Sequence, residues 1–276
     1  MARSKKKVPK KLKNARKASD TKDKKGKQKE KKKAYTRIRL TEHQEEKRGI
    51  AKYVVQNIIE DCMCIFLDAG STVNQVGLTL FDDSTISGLT IMTNNMLVFN
   101  EFTERSAEMY ERGNVLALTG GVYNQNHEAL HGDTTVQALR SFNPLVVILG
   151  TSGLMLEDTG VNEGEHVERK GAFHHDVVGS EVMTKKAIAS MRTKHRVIVC
   201  DYSKIGIWDA SCFASIEELA KNTDRCTIVT SDVPSNSLAS DKTEFNDQYR
   251  NMKTILKSMA LKNVTLRRVN HDGKAI

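Results

Sequence analysis

Seven short apolar runs punctuate the chain: Cys64 to Leu67, Leu89 to Met92, Val115 to Leu118, Leu145 to Leu149, Val197 to Cys200, Thr227 to Val229 and Val264 to Val269. Most of them do not alternate apolar with polar residues, and a strand that reads as unbroken hydrophobic sequence is one covered on both faces. Between the runs stand stretches of helical periodicity at Val73 to Leu80, Asn95 to Arg105, Thr134 to Ser141, Val182 to Thr193 and Thr243 to Leu261. Strands that alternate with helices predict an α/β fold, a mainly parallel sheet flanked by helices. Upstream, Thr41-Glu42-His43-Gln44 offers a capping start, and Ile50, Val54, Val55, Ile58 and Ile59 recur on one helical face. A linking helix is therefore expected over residues 41–60, leading into a body that occupies 61–276.

Charge divides the chain in the same place. Residues 1–39 hold 19 Lys and Arg against 3 Asp and Glu, a net of +16, whereas residues 40–276 are net −7. The first 39 residues also contain almost no large apolar side chains, Val8, Leu12, Tyr35 and Ile38 being the exceptions, so they cannot offset the entropy of ordering, and residues 1–40 read as a disordered basic tail. Its blocks Lys5, Lys6, Lys7, Lys10, Lys11 and Lys31, Lys32, Lys33 suit non-specific DNA or RNA binding through counterion release, with a solubilising tail as the plainer alternative. Such blocks also resemble nuclear import signals, which matters only in a host with a nucleus. No stretch approaches the roughly 20 apolar residues of a bilayer span, and the N-terminus lacks the apolar core of a secretory signal. A soluble, cytoplasmic protein without a membrane partner is expected, nucleoid association or a nuclear address depending on the host. The cysteines, Cys62, Cys64, Cys200, Cys212 and Cys226, are odd in number and lie mostly in apolar runs, which suits reduced packing residues.

In an open parallel sheet the ligand crevice lies beyond the carboxyl ends of the strands. Five of the runs end alike: Asp68-Ala69-Gly70-Ser71-Thr72, Thr93-Asn94-Asn95, Thr119-Gly120-Gly121, Gly150-Thr151-Ser152-Gly153 and Asp201-Tyr202-Ser203-Lys204. Any one of these is, alone, a tight turn with an N-cap. Together they describe a crevice. Glycine admits a ligand to the backbone, and amides at a helix N-terminus with Ser and Thr hydroxyls hold a phosphate dianion. Lys204 adds a positive charge, while Asp68, Asp201 and Asn94 can exchange hydrogen bonds with sugar hydroxyls. A phosphorylated sugar or polyol is the expected ligand, and no cofactor is expected. No Walker loop and no dinucleotide fingerprint is present, which argues against ATP and NAD. His166, His174, His175 and Asp176 lack the helical spacing that brings two imidazoles to one metal, so they read as a polar loop and no metal site is assigned. Trp208 reads as a cover for the pocket rim.

These same residues carry a resemblance. From about Glu46 to Asp232 the sequence resembles the C-terminal effector-sensing domain of the DeoR family of bacterial transcription regulators. Ile65 to Thr72 is similar to the family's phosphate-binding turn, Thr93-Asn94 to its threonine-asparagine pair, Thr119-Gly120-Gly121 to its glycine pair, and Val199 to Gly206 to its aspartate-serine-lysine stretch. Lys185 resembles the family's helix lysine near the ligand, with Lys186 an equal match. The resemblance implies a fold like that of ribose-5-phosphate isomerase and coenzyme A transferases. It also implies a sugar-phosphate effector at Asp68, Gly70, Ser71, Thr72, Thr93, Asn94, Gly120, Gly121, Gly150, Thr151, Ser152, Lys185, Asp201 and Lys204, a role in transcription regulation, and a homo-oligomer. Three departures stand out. The usual N-terminal winged helix-turn-helix is replaced by the lysine-rich tail, the turn Gly150 to Gly153 lacks the family's acid, and the chain is longer than usual after Gly160. An aldose-ketose isomerase is the competing enzymatic reading, weakened by that missing carboxylate. A degenerate scaffold is the third, opposed by intact Ser71, Thr72, Asn94 and Lys204.

Overall fold

The computed structural model describes residues 39–157, 169–174 and 179–276. The lysine blocks between Lys5 and Lys33, and His166, His175 and Asp176, lie outside them. Among the described residues the central sheet has seven parallel strands in the order β12-β11-β9-β6-β1-β2-β3. They are β1 (Cys64–Leu67), β2 (Thr90–Thr93), β3 (Val115–Leu118), β6 (Val146–Gly150), β9 (Thr193–Cys200), β11 (Thr223–Ser231) and β12 (Val264–Val269). The expected fold class, a mainly parallel sheet flanked by helices, is present. From β1 the chain steps outward to β2 and β3, then returns to the other side of β1 to form β6 and proceeds to β9, β11 and β12. The direction of travel therefore reverses between β1 and β6, where Leu67 pairs with Ile148. That reversal opens a crevice at the carboxyl ends of the two strands.

Side-chain alternation along the central strands feeds two apolar layers. On one face Phe66, Val147, Leu149, Ile198 and Ile228 pack against Leu139 of α5 (Asp133–Ser141), Ile188 of α6 (Ser180–Ser190) and Phe245 and Met252 of α8 (Ala239–Ser258). On the other, Ile65, Leu67, Ile148, Val197 and Val229 meet Ile50 and Val54 of α1 (Gln44–Ile58), Val73, Val76 and Leu80 of α2 (Ser71–Asp82) and Phe102 of α3 (Met96–Glu104). The helix expected to link tail to body thus contributes Ile50, Val54, Val55 and Ile58 to a core layer. The remaining helices are the short α4 (Ser106–Glu111) and α7 (Ile216–Ala220).

The structure corrects four expectations. The capping start at Thr41 does not open α1, because its N-cap is His43, in a left-handed conformation with no side-chain cap bond. The helix expected to reach Thr193 ends at Ser190, since Met191 turns extended and Thr193 already belongs to β9, its hydroxyl donating to Leu145 O. β3 is not covered on both faces: it is the sheet's edge, with Val115 and Ala117 exposed. Finally, two antiparallel elements had no counterpart in the reading of apolar runs. These are the hairpin β4 (Val122–Asn124) with β5 (Ala129–His131), and a sheet ordered β10-β8-β7 from β7 (Gly153–Glu157), β8 (Arg169–His174) and β10 (Ser211–Ser215). β4 and β5 are only three residues each, and the strands of the second sheet mix glycine, serine or charged residues with their apolar ones, so none registers as an unbroken hydrophobic run. Among the described residues no helix is long and apolar enough to cross a membrane.

Candidate functional site

β1 delivers its chain into the crevice through Asp68, whose side chain is fully buried and whose N–H donates to Ile148 O at 3.0 Å. Two residues later Gly70 adopts a φ of 139°, a region closed to most side chains, and N-caps α2 without any side-chain bond. Open space surrounds the position a Cβ would take there. The first intrahelical bond of α2 runs from Asn74 N to Gly70 O at 2.8 Å. The N–H groups of Ser71, Thr72 and Val73 precede it and find no acceptor among the described residues, so this terminus presents free donors and the positive end of the helix dipole.

Beside that terminus lies a buried ion pair. The Lys185 ammonium, carried in by α6, donates to Asp68 Oδ2, to Gly150 O at 2.8 Å and to Ala69 O at 3.3 Å. Gly150 N donates to the same carboxylate oxygen at 3.1 Å, while Asp68 Oδ1 is buried without a partner. Burial pushes the Asp68 carboxyl above the usual carboxylate range, against the opposing pull of Lys185 and of the Gly150 and Ala69 amides. Glycine at 150 keeps this junction tight, since a Cβ would stand 3.2 Å from Ala69 O and 3.3 Å from the Val73 side chain. Of the two lysines that match equally in sequence, Lys185 is buried at the strand ends and Lys186 is exposed.

The other sequence-assigned residues gather at the same end of the sheet, in different roles. Thr93 is fully buried, donating to Leu67 O at 2.6 Å and accepting from Asn95 N at 2.9 Å, so its hydroxyl ties β2 to β1. Asn94 donates to Leu130 O at 3.2 Å and leaves its buried Oδ1 without a partner. Gly120 and Gly121, with φ of 71° and 123°, turn the chain from β3 into the hairpin, and Gly120 O accepts from Thr135 Oγ1 at 2.7 Å. The hydroxyls of Thr151 and Ser152 both donate to Phe173 O at 2.9 Å, which binds β7 to β8. Asp201 is buried at the end of β9 and caps the 3₁₀ turn Tyr202–Lys204 through Ser203. Lys204 is half-buried and makes no ion pair among the described residues. Trp208 is half-exposed and lies 5.1 Å from the Phe173 ring.

Two groups were given no site role in the sequence reading, although Asn95 stands in one of its five strand ends. Asn95, fully buried, donates to Asp68 O at 3.3 Å and Gly70 O at 3.4 Å and caps α3 through Leu97 N. It braces the β1–α2 turn from the neighbouring strand. Glu181, one helical turn before Lys185, accepts from Asn124 and lies 3.3 Å from His127 Nε2 and 3.9 Å from His131 Nε2. With Gly132 N donating to Thr184 Oγ1 at 3.2 Å, this cluster clamps the β4–β5 hairpin against α6. Only its spacing to Lys185 could have pointed to Glu181, because the hairpin histidines are remote in sequence. Among the described residues no group of three His, Cys, Asp or Glu side chains is placed to hold a metal.

Comparison with known proteins adds the following. The family model of the DeoR C terminal sensor domain matches residues 42–232. The HTH-type transcriptional regulator GlpR of Haloferax volcanii is 30% identical over 175 residues, 63% of this chain, and the match covers 58% of that protein's length. Ribose 5-phosphate isomerase A of Methanocaldococcus jannaschii aligns with a TM-score of 0.33 and 14% identity over 57% of this chain and 52% of its own. The ribose 5-phosphate isomerase of Plasmodium falciparum aligns with a TM-score of 0.32 and 17% identity over 57% and 51%. A mutant RipA structure aligns with a TM-score of 0.41 and 16% identity over 78% and 53%.

Proposed function

Because the chain belongs to the DeoR C-terminal sensor domain family, we propose that it senses a phosphorylated sugar or polyol and serves transcription regulation. The observation that carries this reading is the start of α2. Ser71, Thr72 and Val73 offer amides with no other acceptor among the described residues, next to an open position at Gly70, at the point where the sheet's order reverses. A phosphate dianion placed there meets the dipole and the donors together. Asp68 Oδ1 and Asn94 Oδ1 are buried acceptors without partners, suited to ligand hydroxyls. Lys204, which makes no ion pair among the described residues, supplies a cation. Thr93, Gly120, Gly121, Gly150, Thr151, Ser152 and Asp201 shape the crevice more than they reach into it, and Lys185 acts through Asp68. The relative from Haloferax volcanii is named a transcriptional regulator, which agrees with a regulatory role.

The basic segment holding Lys5 to Lys33 would supply sequence-independent affinity for DNA or RNA in a cytoplasmic, or in a eukaryote nuclear, setting. A non-enzymatic role is preferred over isomerisation: Gly150 to Gly153 carries no acid, and the Asp68 carboxylate is engaged by Lys185. The test is a thermal-shift screen of the full chain against sugar phosphates and their unphosphorylated counterparts. A phosphate-dependent rise, lost in Lys204→Ala, is expected. No shift with any compound would end the sensor reading, and turnover of a pentose or hexose phosphate would replace it with the isomerase.

A further inference from the structure

The two edges of the central sheet are treated differently by the sequence. At β12 the outer edge is occupied: Ile276 N donates to Arg268 O at 2.9 Å, Asn270 N to Lys274 O at 3.0 Å, and Val269 bridges Ala275. Arg267 and Arg268 add charge to it. At β3 no described residue pairs with the outer edge. From Gly113 to His127 the chain carries no Asp, Glu, Lys or Arg, in a protein of which 28% is charged. Large apolar side chains lie open around it: Tyr110 is 61% exposed, Val115 47%, Val122 64% and Tyr123 47%. Open, uncharged edges of this kind are templates for another strand.

We propose that β3 is the pairing edge of a two-fold dimer of this chain. Register supports a second copy as the occupant. Val115 N donates to Leu89 O at 2.8 Å and Thr119 N to Thr93 O at 3.0 Å, so the odd-numbered residues of β3 bond inward to β2. The amide and carbonyl of Leu116 and Leu118 therefore face out. Antiparallel pairing about an axis through Ala117 sets Leu116 opposite Leu118 of a second copy, and each such pair exchanges both of its hydrogen bonds. Ala117 then meets its own equivalent in the non-hydrogen-bonded position, where Cα atoms approach to about 4.5 Å. Residue 117 is alanine, and it is exposed. Charge supports the same occupant: an isologous contact sets every group against its own copy, and the segment 113–127 brings no Asp, Glu, Lys or Arg to it. The result is one sheet continuous through both copies, with the Gly120–Gly121 turns close to the junction. This inference stands independently of the ligand proposed above.

The experiment is sedimentation velocity on the full chain, treated with nuclease and held at high salt, together with two variants. The wild type is expected as a dimer and Ala117→Lys as a monomer with an unchanged circular dichroism spectrum. Ala117→Cys is expected to form a disulfide-linked dimer under mild oxidation, because the separation at the axis falls within the about 4.4–6.8 Å that a disulfide requires. The wild type, which carries exposed Cys62 and Cys212, is the background for that reaction. A monomeric wild type, or an oligomer that survives Ala117→Lys while Ala117→Cys fails to cross-link, overturns the proposal. Should Ala117→Lys fail to fold, the cross-link decides.

Discussion

Lys185 and Asp68, 117 positions apart in the chain, form an ion pair at the carboxyl ends of β1 and β6, with 8% and 0% of their side chains exposed. The pair joins α6 to the turn that opens α2, so any ligand drawn to the α2 terminus lies beside a charge already committed to an internal partner. Asp68 keeps one buried oxygen without a bond, and such an atom in a crevice is a place for a ligand donor.

Removing the lysine alone should be costly. Lys185→Met strands the carboxylate in a dry site with only the Gly150 and Ala69 amides in support, and breaking a buried pair in this way typically costs about 3–5 kcal/mol. Urea unfolding at neutral pH measures it. The double variant Asp68→Asn/Lys185→Met should recover much of the loss, because no buried charge remains. A loss under about 1 kcal/mol for Lys185→Met would mean that the carboxyl takes up a proton or is reached by water once the lysine is gone.

The same carboxylate sets a pH dependence. Burial raises the Asp68 pKa in the folded state above its ordinary 3.8, so the folded protein binds more protons than the unfolded chain between 3.8 and the raised value. Stability attributable to this group is present at low pH and is lost as pH rises through the folded pKa. Comparing unfolding midpoints of wild type and Asp68→Asn upward from pH 4 should show the decline in the first and its absence in the second.

His195 acts with the opposite sign. It is half-buried on β9, its Nε2 2.8 Å from Thr227 Oγ1, and burial followed by the charge of Arg225 lowers its pKa from 6.5 to about 4. Between those values the unfolded chain binds the extra proton, so stability is present above pH 6.5 and is lost as pH falls toward 4. His195→Gln should flatten the fall in melting temperature between pH 6.5 and 4. An identical slope in the variant would show that His195 protonates freely in the folded protein.

Much of this arrangement was legible in the sequence because the central strands are hydrophobic without alternation and each ends in a small polar residue. Cys64–Leu67 and Val115–Leu118 emerge with their bounds intact. What was hidden follows from contacts between distant segments. The Lys185–Asp68 pair spans a crossover that no local pattern encodes, and Lys185 was indistinguishable from Lys186 until helix phase placed one inward. The β4–β5 hairpin was missed because Val122–Asn124 and Ala129–His131 are short and take their pairing from the Gly120–Gly121 turn and from Asn94. Thr151 and Ser152 read as ligand hydroxyls, and no local pattern could show that both also bond to the backbone of Phe173, a residue more than 20 positions away.

Arg196 gives a prediction about the core that composition could not have suggested. It is fully buried on β9 and donates to Lys221 O at 2.9 Å as well as to Leu219 O and Met191 O, joining the end of α6 to the end of α7 with no carboxylate partner among the described residues. Burial lowers its pKa accordingly. Arg196→Met preserves the stem and removes the donors, leaving buried carbonyls unsatisfied at about 1–3 kcal/mol each when fully desolvated. Chemical denaturation should show a loss of at least about 2 kcal/mol, and hydrogen exchange should show faster opening of α7 than of β1.

Gly121 offers the sharpest separation between folding and ligand response. Its φ of 123° is a conformation that side chains rarely adopt, and a Cβ there would stand 2.6 Å from His131 O and collide with Thr135 Oγ1. Both neighbours are fixed, since Thr135 is fully buried with its hydroxyl bonded to Gly120 O, and His131 belongs to β5. Gly121→Ala must therefore open the β3–β4 turn, at a strain of about 1–3 kcal/mol for the backbone alone. The hairpin clamped on α6 would shift with it, and Leu130, bonded to Asn94, carries that shift to the crevice. The expected outcome is a protein destabilised by about 2 kcal/mol or more in urea that still folds, with its thermal response to sugar phosphates reduced more than tenfold in apparent affinity. Gly132→Ala, at a position with open space around the added carbon but a φ of 97°, is the control for backbone strain without collision. If the two variants lose stability and ligand response equally, the turn contributes only through its backbone conformation, and the contact with Thr135 and His131 plays no part in shaping the site.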